Sequence, residues 1–90
     1  MKVIKRDGRI QEFDLNKILI TLEKVSDDIS EPFTESDIRN LSEDIESTIK
    51  AISEDSIEVN KIQDIVVEEL EKLGFGNAAR HYREYRKEIK

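Results

Sequence analysis

Cysteine and tryptophan are absent from the 90 residues, histidine and proline occur once each, and glycine appears only three times. Without cysteine there is no disulfide framework, thiolate metal site or thiol nucleophile, and a single histidine cannot supply a zinc set. The scarcity of glycine removes the common phosphate loops. Neither Asp7-Gly8-Arg9 nor Gly74-Phe75-Gly76 extends into Gly-x-Gly-x-x-Gly, and no Gly-x-x-x-x-Gly-Lys-Ser/Thr occurs. No apolar run approaches the ~20 residues of a membrane span. Met1-Lys2-Val3-Ile4-Lys5-Arg6 meets charge too soon for a secretory leader, so the sequence predicts a soluble, cytoplasmic protein without membrane contact. No nucleophile stands with a base and an orienting partner. The clustered carboxylates Glu43/Asp44/Glu46 and Glu68/Glu69/Glu71 lie in helical runs and read as solvated faces, and His81 as a surface or core-edge residue. A non-enzymatic protein is expected.

What is abundant is charge, at 40% of residues against 37% hydrophobic. A chain this short buries about 60–65% of its unfolded surface, enough for one modest core. The net charge of −6 hides a segregation. Lys2, Lys5, Arg6 and Arg9 against Asp7 make the first nine residues +3, and Arg80, Arg83, Arg86, Lys87 and Lys90 against Glu84 and Glu88 make residues 80–90 +3. The intervening body carries −12. If the fold joins the ends, they form a compact cationic site on an acidic particle. Such a site suits a small phosphate ligand, whereas a long nucleic acid would meet the acidic flanks, so direct nucleic-acid binding is disfavoured.

The runs Lys2–Arg6 and Arg9–Phe13 flank Asp7-Gly8, a turn dipeptide that supplies positive φ angles, and predict a β-hairpin over 2–13. Asp14 precedes Leu15, Ile18, Leu19, Leu22 and Val25, a cap followed by an apolar stripe, and predicts a helix over 14–26. Ser26-Asp27-Asp28 and Ser30-Glu31-Pro32 read as a polar connection. Thr34-x-x-Asp37 opens a second helix, 35–52, lined by Ile38, Leu41, Ile45, Ile49 and Ile52. Ser53-Glu54-Asp55-Ser56 interrupts the pattern. Val59, Ile62, Ile65, Val66, Leu70 and Leu73 resume it over 59–73 until Gly74 and Gly76, and a last helix, 76–88, carries Ala78, Ala79, Tyr82 and Tyr85 on one side and arginines on the other. The expectation is a single α+β, mostly helical domain over 1–90, an N-terminal hairpin covering a four-helix bundle.

Two adjacent cations in Lys5-Arg6-Asp7-Gly8-Arg9, one a mobile point charge and one a planar fork, suit several phosphates of one ligand, and Lys17 lies one turn into the following helix. Val3-x-Lys5-Arg6-Asp7-Gly8-Arg9-x-x-x-Phe13-Asp14-x-x-Lys17-Ile18 resembles the opening signature of the ATP-cone domain, the allosteric nucleotide-binding module of ribonucleotide reductases. Ile57-x-Val59-x-x-Ile62-Gln63-Asp64-x-Val66-x-x-x-Leu70 and Ala79-x-x-Tyr82-x-x-Tyr85-Arg86 are similar to the second half of the same family. The likeness spans nearly all of residues 2–88.

That resemblance implies binding of ATP or dATP, with or without magnesium on the phosphates, and a report of nucleotide state to a ribonucleotide reductase catalytic subunit, a parent chain or a related regulator. A homo-oligomer is compatible with it. By position, phosphate contacts fall on Lys5, Arg6 and Lys17, with Lys87 as a fourth. Val3 and Ile18 fall where apolar groups flank base and sugar, Val59 and Gln63 near the ribose, and Asp14 within the same nucleotide-binding set. Gln11 stands where many members carry Glu, so an amide replaces a carboxylate acceptor beside the adenine amino group. Val59 stands where a hydroxyl residue is frequent. Reductases and the related nrd-operon repressor use cysteines for radical chemistry or zinc, so a cysteine-free chain is expected to be an isolated or free-standing cone. The alternative reading keeps the cone fold as a protein-protein interaction module that has lost the nucleotide.

Overall fold

A computed structural model describes residues 1–52 and 55–88, with side chains described through Tyr85 outside the gap. The chain runs β1 (Lys2–Ile4), β2 (Ile10–Glu12), α1 (Leu15–Asp28), α2 (Glu35–Ile52), β3 (Ser56–Glu58), α3 (Val59–Lys72) and α4 (Gly76–Glu88). It is mostly helical, with one small sheet. β1 pairs antiparallel with β2, Val3 opposite Gln11, and parallel with β3, Val3 opposite Ile57.

The third strand corrects the expectation of a hairpin alone. Asp55 and Ser56, read as part of a break, lead into β3, whose residue Ile57 is buried beside Val3 while the Lys2 N–H donates to the Asp55 carbonyl at 2.8 Å. The turn also differs in kind. Gly8 N–H donates to Lys5 O at 2.9 Å and Lys5 N–H to Arg9 O at 2.8 Å, and of the turn residues only Gly8, at φ +89°, has positive φ. This is a β-turn over Lys5–Gly8 followed by a glycine bulge, not a two-residue turn with two left-handed residues. The loop therefore projects Arg6 and Asp7 from its tip.

Local chemistry explains the helix ends. Asp14 Oδ1 accepts from Asn16 N–H at 3.0 Å, capping α1 from outside. α1 runs two residues beyond 26 because Ser26 is buried and its hydroxyl donates to Glu23 O at 2.8 Å, which keeps it helical rather than turn-forming. Thr34 and Asp37 exchange bonds, Thr34 N–H to Asp37 Oδ2 at 2.9 Å and Asp37 N–H to Thr34 Oγ1 at 3.1 Å, a capping box. α3 ends in a Schellman motif: Phe75 N–H donates to Leu70 O at 2.8 Å and Gly74 N–H to Glu71 O at 3.1 Å, with Gly74 at φ +90°. Phe75 then meets Phe33 edge to face at 5.0 Å, joining the α1–α2 and α3–α4 connections.

α3 packs on both α2 and α4, and α1 on α4 and α2. Leu22, Val25, Leu41, Ile45, Ile49, Val66, Leu70 and Tyr82 are fully buried at the centre, and each large aliphatic there contributes about 1.5–3 kcal/mol. Because helices flank α3 on two sides, its buried surface is wider than one stripe and takes in Val67 and Glu69. Glu69 is thus not on a solvated face: it is 7% exposed, and its Oε2 has no hydrogen-bond partner among the described residues. No helix of the described residues is long and apolar enough to cross a membrane.

Candidate functional site

Beneath the β1–β2 turn lies a cavity of about 580 Å³ walled by the sheet and three helices. Val3 in β1 and Lys5 just beyond its end both line the cavity, and register places Gln11 next to Val3. Helical spacing aligns Asp14, Lys17, Ile18 and Thr21 along α1, and Val59, Ile62 and Gln63 along the first turns of α3. Tyr82 of α4 contributes the far wall. Of the residues singled out in the sequence, all but Lys87 meet on this one surface. The Lys87 side chain lies outside the described residues.

The distribution of charge partners gives the cavity its sign. Asp7 and Glu12, which also line it, are already engaged. Asp7 Oδ2 accepts from Arg9 Nε at 2.7 Å and Oδ1 from Arg9 N–H at 3.1 Å, and these bonds, the backbone one foremost, hold its carboxyl below the usual carboxylate range. Glu12 is lowered likewise by its hydrogen bond and charge contact with Lys2, with the N-terminal amine at 3.7 Å adding to the effect. Lys5, Arg6 and Lys17 have no carboxylate partner among the described residues. Net positive charge therefore concentrates at the turn and the start of α1, where the helix dipole adds to it. The Asp14 carboxylate opposes the dipole in part.

Arg6 is held without being neutralised. Its Nε donates to Asn60 Oδ1 and its Nη2 to Gln63 Oε1, both at 2.9 Å, and Gln63 Nε2 reaches Arg83 O on α4 at 3.4 Å. Of the C-terminal basic cluster, the two cations whose side chains are described do not line the cavity. α4 turns Ala78, Ala79 and Tyr82 inward, which leaves Arg80 and Arg83 exposed and off the cavity wall. His81 sits apart, its Nε2 3.3 Å from Asp28 Oδ2. Thr21, Ile62, Tyr82 and Asn60 complete the surroundings without having been nominated. The first three continue helical stripes from Lys17, Val59 and Ala78, a signal the sequence does carry; Asn60 has no such signal.

Among the described residues no group of three His, Asp or Glu side chains could hold a metal ion. The arrangement offers three uncompensated cations at one end and apolar groups, Val3, Ile18, Ile62 and Tyr82, on the walls. It can hold a molecule that is anionic at one end and flat or apolar at the other.

Residues 1–90 match the sequence model of one family, described as the ATP cone domain. The chain is also similar to the transcriptional repressor NrdR of Leifsonia xyli subsp. xyli, 33% identical over 73 residues. That match covers 81% of this chain and 45% of the relative, so it spans less than half the relative's length.

Proposed function

The chain belongs to the ATP-cone family, and from that membership we propose that it binds one adenine nucleotide class, ATP or dATP, in the cavity beneath the β1–β2 turn. It acts there as a regulatory domain and not as a catalyst. The observation that carries this reading is the coincidence of three unneutralised cations, Lys5, Arg6 and Lys17, with one cavity of nucleotide size. In it the cations hold the phosphates, Val3 and Ile18 flank base and sugar, Gln11 lies toward the base, Val59 and Gln63 toward the ribose, and Asp14 closes the helix end. Lys87 is kept as a fourth phosphate contact. Any magnesium enters on the phosphates. The turn serves as a lid over the four helices, which form the bundle of the family's fold.

The nucleotide state is passed to a larger machine, either a ribonucleotide reductase or a regulator. The likeness to a transcriptional repressor favours the regulator. The −12 body argues that this domain itself reads nucleotide and not nucleic acid. Titration calorimetry with ATP and dATP on wild type and Lys5→Ala tests the reading. Each charge-assisted phosphate contact contributes roughly 1.5–3 kcal/mol, so the variant should bind at least about tenfold more weakly. Equal heats from both proteins would sink the assignment.

A further inference from the structure

Arginine usually finds a carboxylate, yet Arg6 is gripped by two neutral amide oxygens, those of Asn60 and Gln63, spaced i and i+3 on one face at the start of α3. Gln63 lines the cavity; Asn60 does not, and is exposed behind the guanidinium. We infer that Asn60 is a positioning residue for nucleotide binding: it takes Nε of Arg6 and so aims the rest of the fork at the phosphates while leaving its full charge intact. The inference rests on the nucleotide reading above and deepens it.

The chemistry favours an amide here. A guanidinium has five N–H donors, and Asn60 and Gln63 occupy two, so three remain for an anion. A carboxylate at residue 60 would grip Arg6 more firmly but cancel its charge and repel phosphate. An alanine would leave the charge but remove one of the two bonds that hold a long side chain at the tip of a turn, and the rotamer entropy so regained must then be lost when ligand binds. Asn60 avoids both costs. The contact also spans 54 residues of sequence, so it fastens the turn to α3, and Gln63 extends the connection to α4 through Arg83 O.

The test is a double-mutant cycle read by ATP affinity at fixed ionic strength, with Asn60→Ala, Arg6→Ala and the pair. Asn60→Ala should weaken ATP binding by about fivefold or more in the wild-type background and by less than about twofold in the Arg6→Ala background, because its effect passes through Arg6. Asn60→Asp should bind more weakly than Asn60→Ala at low salt, with the gap narrowing as salt is raised. The Arg6 Nε–H resonance of the nucleotide-free protein should be slow to exchange with solvent in wild type and Asn60→Asp, and fast in Asn60→Ala. Wild-type affinity in Asn60→Ala, or the same loss with and without Arg6, would overturn the inference. Absence of ATP binding by wild type would instead overturn the functional reading, while the Nε–H measurement would still report on the clasp. Asn60 is exposed, so the variants should melt close to wild type; if Asn60→Ala does not fold, Asn60→Asp and the salt series decide.

Discussion

At the scale of single residues, the site is organised by which charges are already spent. Lys17 and Arg9 line the same cavity, but Arg9 is paired with Asp7 at 2.7 Å and Lys17 has no carboxylate partner among the described residues. Lys17→Ala should therefore cost ATP binding about tenfold or more, and Arg9→Ala only a few-fold, in the same calorimetric titration. Asp7→Asn should tighten binding, since it frees Arg9 and removes a negative charge from the rim. The same pair sets a pH response. Because the folded-state pKa of Asp7 is depressed, its support for the turn is fully present above the ordinary aspartate pKa and is lost as pH falls through the lowered value. Carboxyl shifts followed by NMR should show Asp7 titrating below the ordinary aspartate range. The nomination of Lys5, Arg6 and Lys17 from sequence was possible because they stand in one short signature. Asn60 escaped it, as its role comes from a partner 54 positions away and an isolated Asn in a helix's first turn carries no local mark.

At the scale of elements, the helices were legible because their signals are local. Asp14 sits next to the stripe it caps, Thr34 and Asp37 are three apart, and Gly74 follows the last apolar position of α3. β3 was not legible. It is three residues long, only Ile57 of it is buried, and what makes it a strand is pairing with β1 across more than fifty residues. Glu69 was misread for a related reason: a triplet of glutamates looks solvated until a second helix covers the flank of α3. That carboxylate has an oxygen with no hydrogen-bond partner among the described residues, and a buried polar group left so costs about 1–3 kcal/mol. Glu69→Met should consequently raise the melting temperature, by roughly 4–8 °C per kcal/mol gained in a domain this size. A calorimetric scan showing a lower midpoint would mean the carboxylate stabilises the core. Gly74→Ala should act in the opposite direction. Space for a methyl group is open, with nothing within 4 Å, but φ of +90° is unfavourable for an L side chain, so a loss of about 1–2 kcal/mol is expected.

At the scale of the whole molecule, the cavity is walled by β1, β2, α1, α3 and α4, elements drawn from both ends of the chain. A ligand held there can bind only when those ends are assembled, and so has no counterpart site in the unfolded chain. By mass action, nucleotide at a hundred times its dissociation constant should then add about 2.7 kcal/mol to stability. For a domain of this length that corresponds to an upward shift of roughly 10–20 °C in melting temperature. Lys5→Ala/Lys17→Ala should melt near wild type without nucleotide, because both side chains lack ion partners to lose among the described residues, yet show a much smaller rise with ATP. The interaction-module alternative differs in the response to ATP. A cone that kept its fold but lost its ligand would melt at the same temperature with and without millimolar ATP, and removing the two lysines would change neither curve.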